Sequence, residues 1–386
     1  MALGPEAAAA DVRSKQWYLD AMGADEIWKY STGKGVKVAV IDSGVNPNTP
    51  SLKGQVLVDE VPESVAYHVT QDYNGHGTDM AELIAGTGAG GGVKGLAPGA
   101  KIVPYRIYES SLKDPREKER TPDSTAAIRA AADSDAKIIN MSFASPYYSV
   151  DEEEAVKYAA SKGKLLFAGI GNSGGDGNKG QYPAQDDHAI GVSAIDKSGT
   201  VAKFSTHGNY VDLAAPGVAI PAWCDTTFTK YCVKDGTSAA TAIASASAAL
   251  VWSAHPDWTA NQVLRALIDT AGRTWAKDNP SKYLGYGVVR PRRVLINKNI
   301  DPGPANVDPL AKENGTADGD GEDAKSSPTP SAKPSAGEKA GGQTSAAART
   351  QDSGDGTRTW VTIGAAAAVL LIAGAGFAVL RARRNA

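Results

Sequence analysis

The chain is short of cysteine, with two in 386 residues. That is too few for a disulfide-rich scaffold or a four-cysteine zinc site. It also lacks a basic excess: 40 Lys and Arg stand against 43 Asp and Glu, a formal charge of −3. No nucleic-acid partner is expected from that balance. Histidine is scarce too, and His68, His188, His207 and His255 show no metal-ligand spacing. No cofactor or catalytic metal is implied, while structural calcium is left open. No GxSxG stretch occurs, which argues against an α/β-hydrolase elbow. Gly86-Thr-Gly88-Ala-Gly-Gly91 matches GxGxxG, but it follows a helical pattern instead of a strand. A dinucleotide site is therefore not expected there. There is no Gly-X-Y period, and 42% hydrophobic residues exclude disorder over the whole length.

Long hydrophobic runs are absent except for one. Trp360 to Leu380 carries no charge and is followed by Arg381, Arg383 and Arg384. At 1.5 Å per residue it spans about 31 Å, the thickness of a bilayer core. The arginine tail, residues 381–386, places the C-terminus in the cytoplasm and everything before residue 360 outside. Residues 301–359 are rich in Pro, Gly, Ser and Ala without apolar periodicity, and read as a disordered tether. No apolar signal core lies in residues 1–30. Residues 1–12 read as a remnant, the small-residue end of a signal peptide whose true start lies upstream.

Between these ends, residues 13–300 alternate apolar runs with helical patterns. Strands are expected at Lys37–Ile41, Lys101–Ile107, Lys137–Ser142, Leu165–Ala168 and Ala189–Ala194. Helices are expected at Thr78–Ala85, Ser124–Ala132 and Glu152–Ser161, with a long helix of small residues from near Ser238. Continuous apolar strands alternating with helices indicate an α/β domain whose parallel sheet is covered on both faces. Tyr108–Pro122 is charged and aperiodic, and reads as a solvated loop.

Four short patches carry chemistry: VAVIDSG around Asp42, NGHGT around His76, GIGNSG around Asn172 and GTS around Ser238. Alone, Asp42, Asn172 and Ser238 read as turn or cap residues, and His76 reads at least as readily as a structural histidine as a catalytic one. Together they supply a nucleophile, an imidazole to take its proton, a carboxylate to orient that imidazole, and an amide for an oxyanion. The order Asp, His, Ser is that of subtilisin, the example against which such orders are compared.

On VAVIDSGV, GHGT, GNSG and GTSAAT, supported by GLAPGAKIVPYRI, IINMSF, LAAPG and HPDWTANQVLRALIDTA, the sequence resembles the subtilisin family of serine proteases over residues 13–300. The resemblance implies a subtilisin-like three-layer α/β sandwich with a mostly parallel sheet. It implies a triad of Asp42, His76 and Ser238, Asn172 as oxyanion donor, and polypeptide substrates. It also places substrate in an extended strand beside Ile139–Ala144. The primary pocket would lie among Ser142, Phe143, Ala144, Gly169, Ile170 and Gly171, where Ala144 and Ile170 add bulk. No charge lines these stretches, so a small or medium apolar residue is expected before the scissile bond. Asp79, three residues after His76, is expected to raise the histidine pKa if close.

An external protease with a proline-rich tether, one membrane helix and an arginine tail further resembles the mycosins, membrane-anchored subtilases associated with type VII secretion. That implies membrane proteins of a secretion system as partners. The same topology puts Cys224 and Cys232 in an oxidising compartment and predicts their disulfide. The rival expectation is a catalytically silent scaffold subunit keeping the fold; the complete catalytic set argues against it.

Overall fold

The structure is a computed structural model and describes residues 12–314. The expected signal-peptide remnant up to residue 11, the expected tether from 315 on, the apolar segment 360–380 and the residues 381–386 lie outside the described residues. Among the described residues no helix is long and apolar enough to cross a membrane.

Six strands form one parallel sheet: β1 Lys37–Asp42, β2 Lys101–Arg106, β3 Ile138–Met141, β4 Leu165–Gly169, β5 Ala189–Ile195 and β6 Leu213–Pro216. Their order is β2-β1-β3-β4-β5-β6. β7 Ile220–Trp223 and β8 Tyr231–Lys234 form a separate antiparallel hairpin. The helices are α1 Trp17–Met22, α2 Ala24–Ile27, α3 His76–Ala85, α4 Pro115–Arg120, α5 Ser124–Asp133, α6 Val150–Ser161, α7 Thr237–Ala254, α8 Ala260–Thr270 and α9 Pro291–Ile296.

The expected strands form because both sheet faces are covered, so alternate residues serve two cores. Val38, Val40, Ile138 and Phe167 face α3 and α7, and α8 packs on α7. Ala39, Ile41, Ile139 and Leu166 face α5 and α6. α7 is buried almost all round and rich in alanine. Alanine gives it high helix propensity and a thin profile against the sheet. α8 begins in a capping box of Thr259 and Gln262, which satisfies two otherwise free N–H groups.

β1 has β2 on one side and β3 on the other, so the connection after β1 and the connection after β3 run in opposite directions across the sheet. In open α/β sheets such a switch point opens a crevice at the carboxyl ends of the strands. Asp42 ends β1, Ser142 follows β3, and Gly169 ends β4.

Two stretches depart from the sequence expectation. Residues 108–122 contain α4, whose N-cap Asp114 accepts the Arg116 N–H at 2.8 Å and whose first residue is Pro115. The helix has no buried face, which is why it has no apolar period. The domain also runs past residue 300. Leu310 is 2% exposed. The Ala305 carbonyl accepts from Thr259 Oγ1 and Asn261 Nδ2, and Asn314 Oδ1 accepts the His188 N–H at 2.9 Å. One leucine and a row of polar bonds fix residues 301–314 to the body, leaving no periodic signal in the sequence.

Candidate active site

Asp42, His76, Asn172 and Ser238 meet at one cleft of about 400 Å³, lined on one side by Asn74, His76 and Glu109 and on the other by Ser142–Ala144, Gly169 and Gly171. Asp42 itself is fully buried beneath the histidine. It shares the strand face of Val38 and Val40, pointing toward α3. Both its carboxylate oxygens lie close to His76 Nδ1, at 2.8 and 2.9 Å. Its Oδ1 also accepts the Ser43 N–H at 2.7 Å. With Nδ1 facing a carboxylate, Nε2 is left for the substrate side.

The position of His76 depends on a residue the sequence reading passed over. Asp72 accepts the N–H groups of Asn74, Gly75 and Thr78 and the Thr78 hydroxyl, at 2.6–3.2 Å. It acts as the anion at the α3 N-terminus, where unpaired N–H groups and the helix dipole favour negative charge. An Asp four residues before the histidine was the available signal. Two glycines make room. A Cβ on Gly77 would sit 2.1 Å from the Gly44 carbonyl oxygen, and Gly44 itself has φ +107°. The backbones of β1 and α3 can approach this closely only without side chains there.

Charge around the imidazole raises its pKa. Burial works against the imidazolium, but Asp42, Glu109 and Asp79 outweigh it and push His76 up to about 9. The expected influence of Asp79 is present, though its carboxylate is engaged elsewhere. It accepts the Trp223 N–H at 2.6 Å and pairs with Lys234 at 3.0 Å. Burial still raises it to about 6, against the pull of Lys234. Glu82, one turn on, accepts from Thr49 and Tyr231 at 2.8 Å each, and burial raises it to about 8. Tyr231, Lys234 and Trp223 all belong to the β7–β8 hairpin, which the Cys224–Cys232 disulfide closes. The hairpin thus clamps α3 directly behind His76.

Ser238 is the second residue of the 18-residue α7. Its hydroxyl donates to the Ser142 carbonyl at 3.0 Å, and the Ser142 hydroxyl donates to the Ser238 carbonyl at 3.1 Å. Asn140 extends this link, donating to Ser142 Oγ and accepting from Ser245. Asn172 Oδ1 accepts from the Thr237 N–H and hydroxyl at 3.0 and 3.1 Å. Among the described residues its Nδ2 has no acceptor, so the amide is oriented with a free donor. Ser142, Phe143, Ala144, Gly169 and Gly171 line the cleft as expected.

Ile170 does not line the cleft. It is fully buried in the core beneath α5 and α6, on the same face as Leu166 and Ala168. Side chains alternate along an extended chain, so Ile170 points away from the cleft that Gly169 and Gly171 border. It adds no bulk to the primary pocket. The segment beyond Ala144 is already paired, since Ser145 and Tyr182 exchange backbone hydrogen bonds. Asn74, Ser173 and Thr237, from the motif stretches themselves, also line the cleft, as do Glu109 and Gln181, which no motif in the sequence marks.

The Subtilase family pattern matches residues 33–287. Thermitase of Thermoactinomyces vulgaris is 33% identical, covering 70% of this chain and 95% of its own. Subtilisin Savinase of Lederbergia lenta is 34% identical, covering 62% of this chain and 84% of its own. Among solved structures, MycP1 from Mycobacterium smegmatis superimposes with a TM-score of 0.60 at 27% identity, covering 75% of this chain and 86% of that one. The MycP3 protease from the type VII (ESX-3) secretion system does so with a TM-score of 0.58 at 27% identity, covering 72% and 88%. A carboxylate, an imidazole and a hydroxyl gathered at the switch point of this sheet are accounted for by that kinship: the chain belongs to the subtilase family and is a serine endopeptidase.

Proposed function

We propose that the chain hydrolyses peptide bonds through an acyl-enzyme on Ser238. The observation carrying this is the pairing of His76 Nδ1 with both oxygens of buried Asp42 in the cleft that also presents Ser238 and Asn172. Ser238 Oγ turns from the Ser142 carbonyl toward His76 when substrate enters; such contacts tighten only in the substrate complex. His76 takes the hydroxyl proton, and Ser238 Oγ bonds to the scissile carbonyl carbon. His76 then passes the proton to the leaving amine as the C–N bond breaks. Water, deprotonated by His76, releases the acid and restores Ser238. Asn172 Nδ2 and the N-terminal N–H groups of α7 stabilise the oxyanion.

The wider role we propose draws support from the apolar segment 360–380 and from the likeness to the mycosin structures. The protease domain works outside the membrane on polypeptides, held by the C-terminal segment and associated with membrane proteins of a secretion system. The chemistry is tested by treating the full chain in detergent with a fluorophosphonate probe. Labelling of the wild type and none of Ser238→Ala supports it; an unlabelled wild type leaves only a scaffold. Membrane placement is tested by carbonate extraction of cells expressing the full chain and a chain ending at residue 359. Release of both to the same degree would overturn anchoring.

A further inference from the structure

The cleft holds one carboxylate that the proposed mechanism does not use. Glu109 follows β2 and lines the cleft beside Asn74 and His76. Its loop is fixed there: Tyr73 donates to the Ile107 carbonyl at 3.0 Å, Asn74 to the Ser111 hydroxyl at 3.1 Å, and the Leu112 N–H to the Glu109 carbonyl at 3.0 Å. The neighbouring buried acids are all satisfied. Asp72 has five donors, the Ser43 hydroxyl among them, Asp79 has Lys234 and a backbone N–H, and Glu82 has two hydroxyls. Among the described residues the Glu109 carboxylate has no hydrogen-bond donor, lysine or arginine. Burial, then Asp42, pushes its pKa up to about 7; His76 pulls it down and Asp72 raises it further. A half-buried acid kept beside two others, with the His76 imidazolium as its one cationic neighbour and no hydrogen-bond donor of its own among the described residues, is costly to the fold, and a ligand cation would relieve that cost.

The direction of approach follows from strand geometry. In an extended substrate, side chains alternate in direction. The residue whose carbonyl is attacked places its side chain between Ser142–Ala144 and Gly169–Gly171, a wall with no charge. The residue before it points to the opposite wall, that of Asn74, His76 and Glu109. We propose that Glu109 is a specificity-determining residue that selects Lys or Arg one residue before the residue whose carbonyl is attacked. This rests on the peptidase reading and names the class of substrate it takes: peptides with a cation followed by a neutral residue at the cut.

The test uses the full chain in detergent and three quenched fluorescent peptides, identical except for Lys, norleucine or Glu at that position. Norleucine keeps the length of lysine and removes its charge. At pH 8 the Lys peptide is expected to exceed norleucine about five- to tenfold in kcat/KM, the scale of one partly solvated ion pair, with Glu slowest. Glu109→Gln should bring Lys and norleucine within about twofold, and Glu109→Arg should place Glu above Lys. Equal rates for Lys and norleucine in the wild type would overturn the inference. So would an unchanged ratio in Glu109→Gln, even if the pH profiles of all three peptides moved together, because Glu109 would then act only on His76. Fluorophosphonate labelling of Ser238 without preferential cleavage of the Lys peptide sinks the inference alone. Loss of both labelling and cleavage sinks the peptidase reading beneath it.

Discussion

The two walls of the cleft are built on different principles. The His76 wall is dense in charge: Asp42, Asp79 and Glu109 act on one imidazole, and Asp72 holds the helix start that carries it. Asp42, Asp72 and Asp79 are each tied by hydrogen bonds that fix their direction. The Ser238 wall has no ionisable side chain in the cleft and consists of Ser142–Ala144, Gly169, Gly171, Asn172, Thr237 and the start of α7. Moving a proton calls for a group whose affinity for it is set by neighbouring charge. Holding a developing oxyanion calls for neutral donors already in place, which need no reorganisation. The contrast separates proton affinity from oxyanion binding, so each wall can be perturbed by itself.

The largest effect expected is loss of the nucleophile. Ser238→Ala should lower kcat by about 10⁴–10⁶-fold, and adding His76→Ala should make it little worse, because the two act as a unit. Further loss in the double variant, measured on one quenched peptide, would mean the walls work independently. Next comes Asn172→Ala, on the neutral wall, expected to cost about 10²–10³-fold in kcat with little change in the pH profile. A kcat within threefold of wild type would remove Asn172 from the oxyanion site.

Away from both walls, Leu310→Ala should lower unfolding free energy by about 2–4 kcal/mol, while kcat stays within twofold. Chemical denaturation followed by assay checks both, and a large fall in kcat would show the walls to depend on the distant segment 301–314. The smallest effects are in pH. With His76 raised to about 9, kcat/KM in the free enzyme should climb through the alkaline range as the imidazole loses its proton. Asp79→Asn should shift that limb to lower pH, since Asp79 favours the imidazolium. The same imidazolium stabilises the fold. That contribution is complete below the ordinary value of 6.5 and is lost as pH rises through about 9. Melting temperature should therefore fall over the range in which activity rises. A parallel rise of both would contradict the charge assignment on the His76 wall.

Much of this arrangement was readable from residues alone. β1, β3 and β4 are continuous apolar runs because parallel strands buried on both faces have no polar side to show, and their ends therefore located Asp42, Ser142 and Gly169. Ile170 was misassigned because position in a motif was taken as direction. Alternation from Ala168 would have turned it away from the cleft. Glu109 and Asp72 were not seen because a carboxylate in a loop acquires meaning only from what folds against it. α4 had its signal in Asp114-Pro115, hidden by the absence of a buried face. The segment 301–314 had none, since carbonyl acceptors are the same in every residue.

That segment also determines how the domain can be held. Asn314 docks at His188, just before β5 begins, at the amino edge of the sheet, whereas the cleft opens at the carboxyl edge. The folded chain therefore leaves from the end away from the cleft. A bead, dye or fusion partner joined after residue 314 would leave the cleft free to admit long polypeptides.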